Sequence, residues 1–156
     1  MVRCSRLNNQ GKNTSFQKTE KSSQTPGNPQ ATEKATEWCV EYADKFGAWW
    51  DTLSEEEQID IKAVVGLLEK MGPTLPHPYS SKINGSKISR LRELRIQHAG
   101  RPFRVLYAFD SNRTAILLVG GDKTGNNRWY EKNVPVAEAH YAAHLLTLGQ
   151  GVKCNG

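Results

Sequence analysis

LRELRIQHAGRPFRVLYAFDSNRTAILLVGG, Leu91 to Gly121, decides the fold of this chain. Three apolar-rich runs, about Leu91 to Gln97, Phe103 to Phe109 and Thr114 to Gly121, are separated by the short, turn-rich linkers His98 to Pro102 and Asp110 to Arg113. Runs of this length with turns this tight pair antiparallel as a meander. Side chains alternate across a strand, so Glu93 and Arg95 share a face opposite Leu94 and Ile96, and Arg104 stands opposite Phe103, Val105 and Tyr107. Pairing these two strands brings Arg95 and Arg104 side by side. Two guanidiniums held close on a rigid sheet repel unless an anion lies between them, and bidentate phosphate recognition suits such a pair. The structural alternative is an ion pair of Arg95 with Glu93 or of Arg104 with Glu131.

Upstream of the meander, Trp38, Val40 and Tyr42 alternate with Glu41 as a short strand, and Asp44 caps a short helix carrying Phe46, Trp49 and Trp50. Ser54 and Glu57 form an S-x-x-E capping box that opens a second helix. Its Ile61, Val64, Val65, Leu68 and Met71 make one apolar stripe, ended by Gly72-Pro73. Thr74 to Ser86 reads as a long loop stiffened by Pro76 and Pro78. Downstream, Val134-Pro135 is expected to open a final helix that stops at Gly149. The order β-α-α-β-β-β-α predicts an α+β domain, a largely antiparallel four-stranded curved sheet packed with helices. The expected boundaries are a disordered, polar, basic tail over 1–35, the domain over 36–150 and a flexible C-terminus over 151–156.

The charges are polarised. From Lys82 to Lys132 eleven cationic residues face four acids, whereas Glu37 to Lys70 holds nine acids and three lysines. Such a field draws a polyanion to one surface, although an ordinary solvated β surface has the same composition. The length of 156 residues fits one domain. No apolar run approaches the roughly 18 residues of a membrane span, and no secretory h-region opens the chain. Cys4, Cys39 and Cys154 show neither metal-like spacing nor a disulfide pattern, which favours a reducing, cytoplasmic setting.

Other candidate chemistry is sparse. In Gly120-Gly121-Asp122-Lys123-Thr124-Gly125 the residue after Gly125 is Asn126, where a P-loop needs lysine, so this is not a Walker A motif. A loop bearing Lys123, followed by Arg128, Trp129 and Tyr130, can instead hold a phosphate and stack a base, or its aromatics can be core. His140 and His144 lie at i, i+4 with no third ligand at a suggestive spacing, so neither a metal nor another cofactor is expected. His98 either flanks the basic face as an acid or base, or is a solvated hairpin residue. Arg113, in the turn before the last strand, is expected to be nearly silent on substitution.

The run INGSKISRLRELRIQHAGRPFRVLYAFDSNRTAILLVGGDKTGNNRWYEKNVP, Ile83 to Pro135, together with WWDTLSEEEQ before it, resembles RelE/ParE superfamily toxins of type II toxin-antitoxin systems, in their HigB-like, phage-derived branch. The resemblance extends over about Trp38 to Leu148. It implies a RelE-like fold and a metal-independent endoribonuclease, an mRNA interferase that cuts messages on translating ribosomes. It also implies an antitoxin partner, often of helix-turn-helix type. Arg95 then falls near the ribose 2′-hydroxyl, Arg104 on the transferring phosphate, Lys123 near another catalytic cation and Tyr130 on the substrate. Lys87, Arg92, Arg101, Arg128 and Trp129 are the expected RNA-binding residues. Glu93 stands where nuclease relatives carry lysine, and Lys123 where they carry arginine; Glu93 is therefore either a general base or a partner that neutralises Arg95. The alternative on the same scaffold is a nonenzymatic toxin or binding module, such as a DNA gyrase poison.

Overall fold

The computed structural model describes residues 37–151, so the expected tail and, beyond Gly151, the expected C-terminal segment lie outside the described residues. Five strands form one sheet: β1 (Cys39–Tyr42), β2 (Ser80–Lys82), β3 (Arg92–His98), β4 (Arg101–Phe109) and β5 (Thr114–Asp122). Their spatial order is β1-β5-β4-β3-β2, with β1 parallel to β5 and every other pairing antiparallel. The expected four strands are present, and a fifth comes from within the proline-stiffened loop, where Ser80 pairs with Leu94 and Lys82 with Arg92. Three residues between prolines and a Gly-Ser turn are too few to show a period of two.

Helices cover both faces. On one side α1 (Asp44–Trp50) and α2 (Glu55–Met71) enclose Phe46, Trp50, Ile61, Val65 and Leu68 with Leu94, Ile96, Phe103, Val105 and Tyr107 of the sheet. On the other, α3 (Trp129–Gly151) lays Trp129, Ala137 and Tyr141 on Leu106, Ala108, Ile116 and Leu118. The capping box of α2 is formed, with Ser54 Oγ accepting from the Glu57 N–H and the Glu57 carboxylate accepting from the Ser54 N–H. The β3–β4 hairpin turns on Ala99 and Gly100, at φ of 47° and 77°; two successive positive values match the type I′ turn that suits twisted strands. Among the described residues no helix is long and apolar enough to cross a membrane.

Two expectations are corrected. Helix α3 begins at Trp129 rather than at Val134-Pro135, and runs to Gly151 past the expected stop at Gly149. Pro135 sits inside the helix, where its missing N–H leaves the Glu131 carbonyl without its usual donor. Cys39 is disulfide-bonded, so the inference of a reducing compartment from cysteine spacing no longer has its premise.

A bulge in β5 places the glycines. Opposite Leu106 and Tyr107 the register shifts, so that Leu106 pairs with Val119 and Tyr107 with Leu117. The extra residue moves the alternation by one position. Gly120 thereby faces Trp49 of α1 and Gly121 faces Trp129 of α3; a Cβ at either would lie 2.0 Å or 2.6 Å from the indole. The paired glycines give room to two tryptophans on opposite faces rather than forming a phosphate loop.

Candidate functional site

Register places the basic pair as the alternation predicts. Arg95 of β3 lies directly opposite Arg104 of β4, and Arg104 opposite Gly121 of β5. Glu93, Arg95 and Arg104 share the α3 face of the sheet, where Tyr130 in the first turn of α3 and Lys123 in the loop after β5 meet them.

Glu93 is the hub. It is only 4% exposed, and a buried carboxylate needs its lone pairs satisfied. Tyr130 donates its hydroxyl to Oε2 at 2.5 Å and Ser81 donates Oγ–H to Oε1 at 2.7 Å. Arg95 Nη1 stands 3.7 Å from Oε1 and Arg104 Nε 3.7 Å from Oε2. The Arg95–Glu93 pair raised as an alternative is present, and Arg104 meets the same acid, while Glu131 pairs with Arg128 instead of Arg104. Serine at 81 is a member of the site that the sequence did not reveal, because its strand was not visible.

Arg104 is 5% exposed, which the expectation of a polar-face residue did not anticipate. One guanidinium nitrogen donates to the Phe103 carbonyl at 2.8 Å, but Nε is buried and has no hydrogen-bond acceptor. Lys123 holds its ammonium 4.8 Å from the centre of the Tyr130 ring. Its loop is pinned by Asp122, whose Oδ1 accepts from the Thr124 N–H at 2.8 Å, and by the Lys123 N–H donating to the Pro102 carbonyl at 2.9 Å. Burial first, then the hydrogen bond to Glu93, push the Tyr130 hydroxyl above its ordinary pKa, with Arg104 acting the other way. The cluster therefore offers a neutral phenol joined to a carboxylate and flanked by three cations, a set that can shuttle a proton and hold a phosphate.

A family model described as phage-derived protein Gp49-like (DUF891) matches residues 48–142, a span that contains every residue of this cluster. The chain belongs to that family. A Mycobacterium tuberculosis (strain ATCC 25618 / H37Rv) protein bearing the toxin name HigB3 is 44% identical over 91 residues, which are 58% of this chain and 78% of the relative. A second, from the same strain and bearing the toxin name HigB2, is 35% identical over 110 residues, 69% of this chain and 54% of the relative. The chain thus spans about half the length of HigB2. These matches set the Gp49-like chain among HigB-like toxins, as its motifs imply. No solved structure matches it.

The other expected RNA-binding residues of this Gp49-like domain disperse. Trp129 is 4% exposed and stands edge-on to Tyr130 beneath Gly121, so it is core and offers no stacking face. Arg101 is tied to Glu57 and to Asp122 and lies over the Phe103 ring. Arg128 is exposed and paired with Glu131. Lys87 is exposed in the loop before β3, where its N–H donates to Glu138 at 2.7 Å and its charge helps to hold the Glu138 carboxyl below its ordinary pKa. Arg92 lies on the opposite face of β3 from Glu93. His98 is neither solvated nor near the cluster: it meets Asp60 of α2 at 2.7 Å and stacks on Phe103. His144 meets Asp110 at 3.0 Å.

Proposed function

We propose that this protein is the toxin of a toxin-antitoxin pair and that it inhibits translation by cutting messenger RNA on the ribosome. One observation carries the reading: Arg95 and Arg104 are cross-strand neighbours around Glu93, with Tyr130 and Lys123 closing the same space. Cleavage by the ribose 2′-hydroxyl needs a proton acceptor, an in-line approach and positive charge on the phosphorane. Arg95 orients the 2′-hydroxyl, whose proton passes to the Tyr130 oxygen as Tyr130 hands its own to Glu93. The new 2′-O–P bond forms while the P–O5′ bond breaks, giving a 2′,3′-cyclic phosphate and a 5′ oxygen that takes a proton from the Lys123 ammonium. Arg104, held beside Glu93, supplies positive charge to the equatorial oxygens. Glu93 thus acts as proton acceptor and as the residue that positions both arginines.

The toxin names of HigB3 and HigB2 support an antitoxin partner for this chain; the partner proposed is of helix-turn-helix type, with an acidic segment that covers Arg95 and Arg104. A ribosomal target places the protein in the cytoplasm. Expression without the antitoxin tests the proposal: primer extension on mRNA from induced cells should show cuts within reading frames. Intact messages with accumulated cleaved DNA would replace this reading with gyrase poisoning.

A further inference from the structure

A second cationic cavity lies at the far end of the sheet, on the α2 face, away from the Glu93 cluster. It measures about 500 Å³ and is walled by Trp38 and Phe109, with Lys82, Arg90, Arg92 and Arg113 around it. A volume of that size falls within the range of about 300–1,000 Å³ typical of small-molecule sites. Period two separates it from the candidate active site: Arg92 pairs with Tyr107, which belongs to the core under α1 and α2, whereas Glu93 faces α3.

Four cations share a single acid there. Arg95, Arg101, Arg104 and Arg128 each have a carboxylate within ion-pair distance. Among the described residues none of the four cations at this cavity has one. Asp110 is the acid on its lining, and its oxygens are engaged: Oδ1 accepts from the backbone N–H groups of Asn112 and Thr114 at 2.8 Å and 3.1 Å, and Oδ2 meets His144 at 3.0 Å. The Asp110 turn carries Arg113 at φ 61°, a conformation uncommon outside glycine, with its guanidinium 4.3 Å from the Trp38 ring centre. Trp38 in turn packs edge-on to Phe109 with centroids 5.1 Å apart. Arg92 is steered by Nε donating to Ser80 Oγ at 3.1 Å.

We propose that this cavity binds the phosphate of a nucleotide, with its base laid against the aromatic wall that Trp38 and Phe109 form together. Converging cations repel one another until an anion enters, the arginine fork matches phosphate oxygens bidentately, and aromatic faces accept any base. The Asp and Glu side chains of an acidic peptide share the charge but carry no aromatic ring to place against Trp38 and Phe109. The phosphate comes either from a free nucleotide or from an RNA strand; the strand as ligand rests on the reading of this protein as acting on RNA.

Fluorescence anisotropy of the full chain with a labelled single-stranded 2′-O-methyl RNA tests this, because that strand lacks the attacking hydroxyl and binding does not require cleavage. Arg90→Ala/Arg113→Ala removes two exposed cations and should weaken binding about tenfold, lowering the salt slope by about 1.4, or about 0.7 per lost phosphate contact. Lys45→Ala/Lys62→Ala removes the same charge from the helical side and should change neither. Competition by adenosine 5′-monophosphate in the parent, lost in Arg90→Ala/Arg113→Ala, identifies free nucleotide as the source; binding of the strand without such competition identifies RNA. Equal losses in the two double variants, no loss in either, or loss of polyglutamate binding alone would overturn the proposal. A parent that leaves messages uncut would refute the nuclease reading while leaving this measurement intact.

Discussion

Tyr130 of α3 donates its hydroxyl to Glu93 of β3 at 2.5 Å, so a helix on one layer and a strand of the sheet share one proton-carrying unit. The contact exists because α3 starts at Trp129, five residues earlier than the Val134 expected to open it. Tyr130→Phe should keep the fold, since its ring remains half-buried, and reduce mRNA cleavage at least about 100-fold, the lower end of what acid–base groups contribute. Glu93→Gln should behave alike. Equal or higher cleavage by Glu93→Gln would make Glu93 a mere neutralising partner of the arginines.

Arg104 couples activity to stability. Breaking a buried ion pair from one side costs about 3–5 kcal/mol, because the remaining charge is left uncompensated. Urea unfolding should therefore show Arg104→Ala to be strongly destabilised, and Glu93→Ala/Arg104→Ala less so than the sum of the single variants. Additive losses would mean that the two side chains do not interact.

The glycine pair tests the packing. Gly120→Ala should press a methyl into Trp49 and Gly121→Ala into Trp129, each lowering stability by about 1–3 kcal/mol. Gly125→Ala has open space at its Cβ and should suffer only from its φ of 64°. Thermal unfolding checks the order: a Gly121→Ala variant as stable as the parent would contradict the indole contact.

Acid should loosen the α2 cap. The Ser54 N–H, and then Arg101, hold Glu57 below the ordinary carboxylate value of 4.5. A depressed folded-state pKa stabilises fully above the unfolded value, and that contribution is lost as pH falls through the folded value. Urea midpoints measured from pH 7 to pH 3 should fall more steeply below about pH 4.5 in the parent than in Glu57→Gln. Parallel curves would show that the box contributes nothing to the pH dependence.

Local rules reveal much of this architecture. The meander, the capping box and the Arg95–Arg104 juxtaposition follow from alternation, turn residues and S-x-x-E, all short-range signals. What escaped the sequence depends on long-range packing. Strand β2 has three residues and exists through its pairing with β3, so Ser81 could not be placed on Glu93. Pro135 resembles a helix start because proline suits a first turn, yet the helix precedes it. Trp129 looks like a stacking platform until the β5 bulge turns Gly121 beneath it. Arg113, a turn residue with no apparent duty in the sequence, lies on Trp38 because both border the same cavity.

The rate at which ribosome-bound message is cut by Lys123→Ala/Tyr130→Phe tests the central claim most directly. Both side chains are partly exposed, Tyr130→Phe keeps the ring that packs against the core, and circular dichroism should match the parent. Losing a preorganised cation alone typically costs about 100-fold to 1,000-fold in rate, so the double variant should fall by at least that much, with in-frame cuts disappearing from primer extension. A folded double variant that cuts at the parental rate would contradict the assignment of this cluster as the active site.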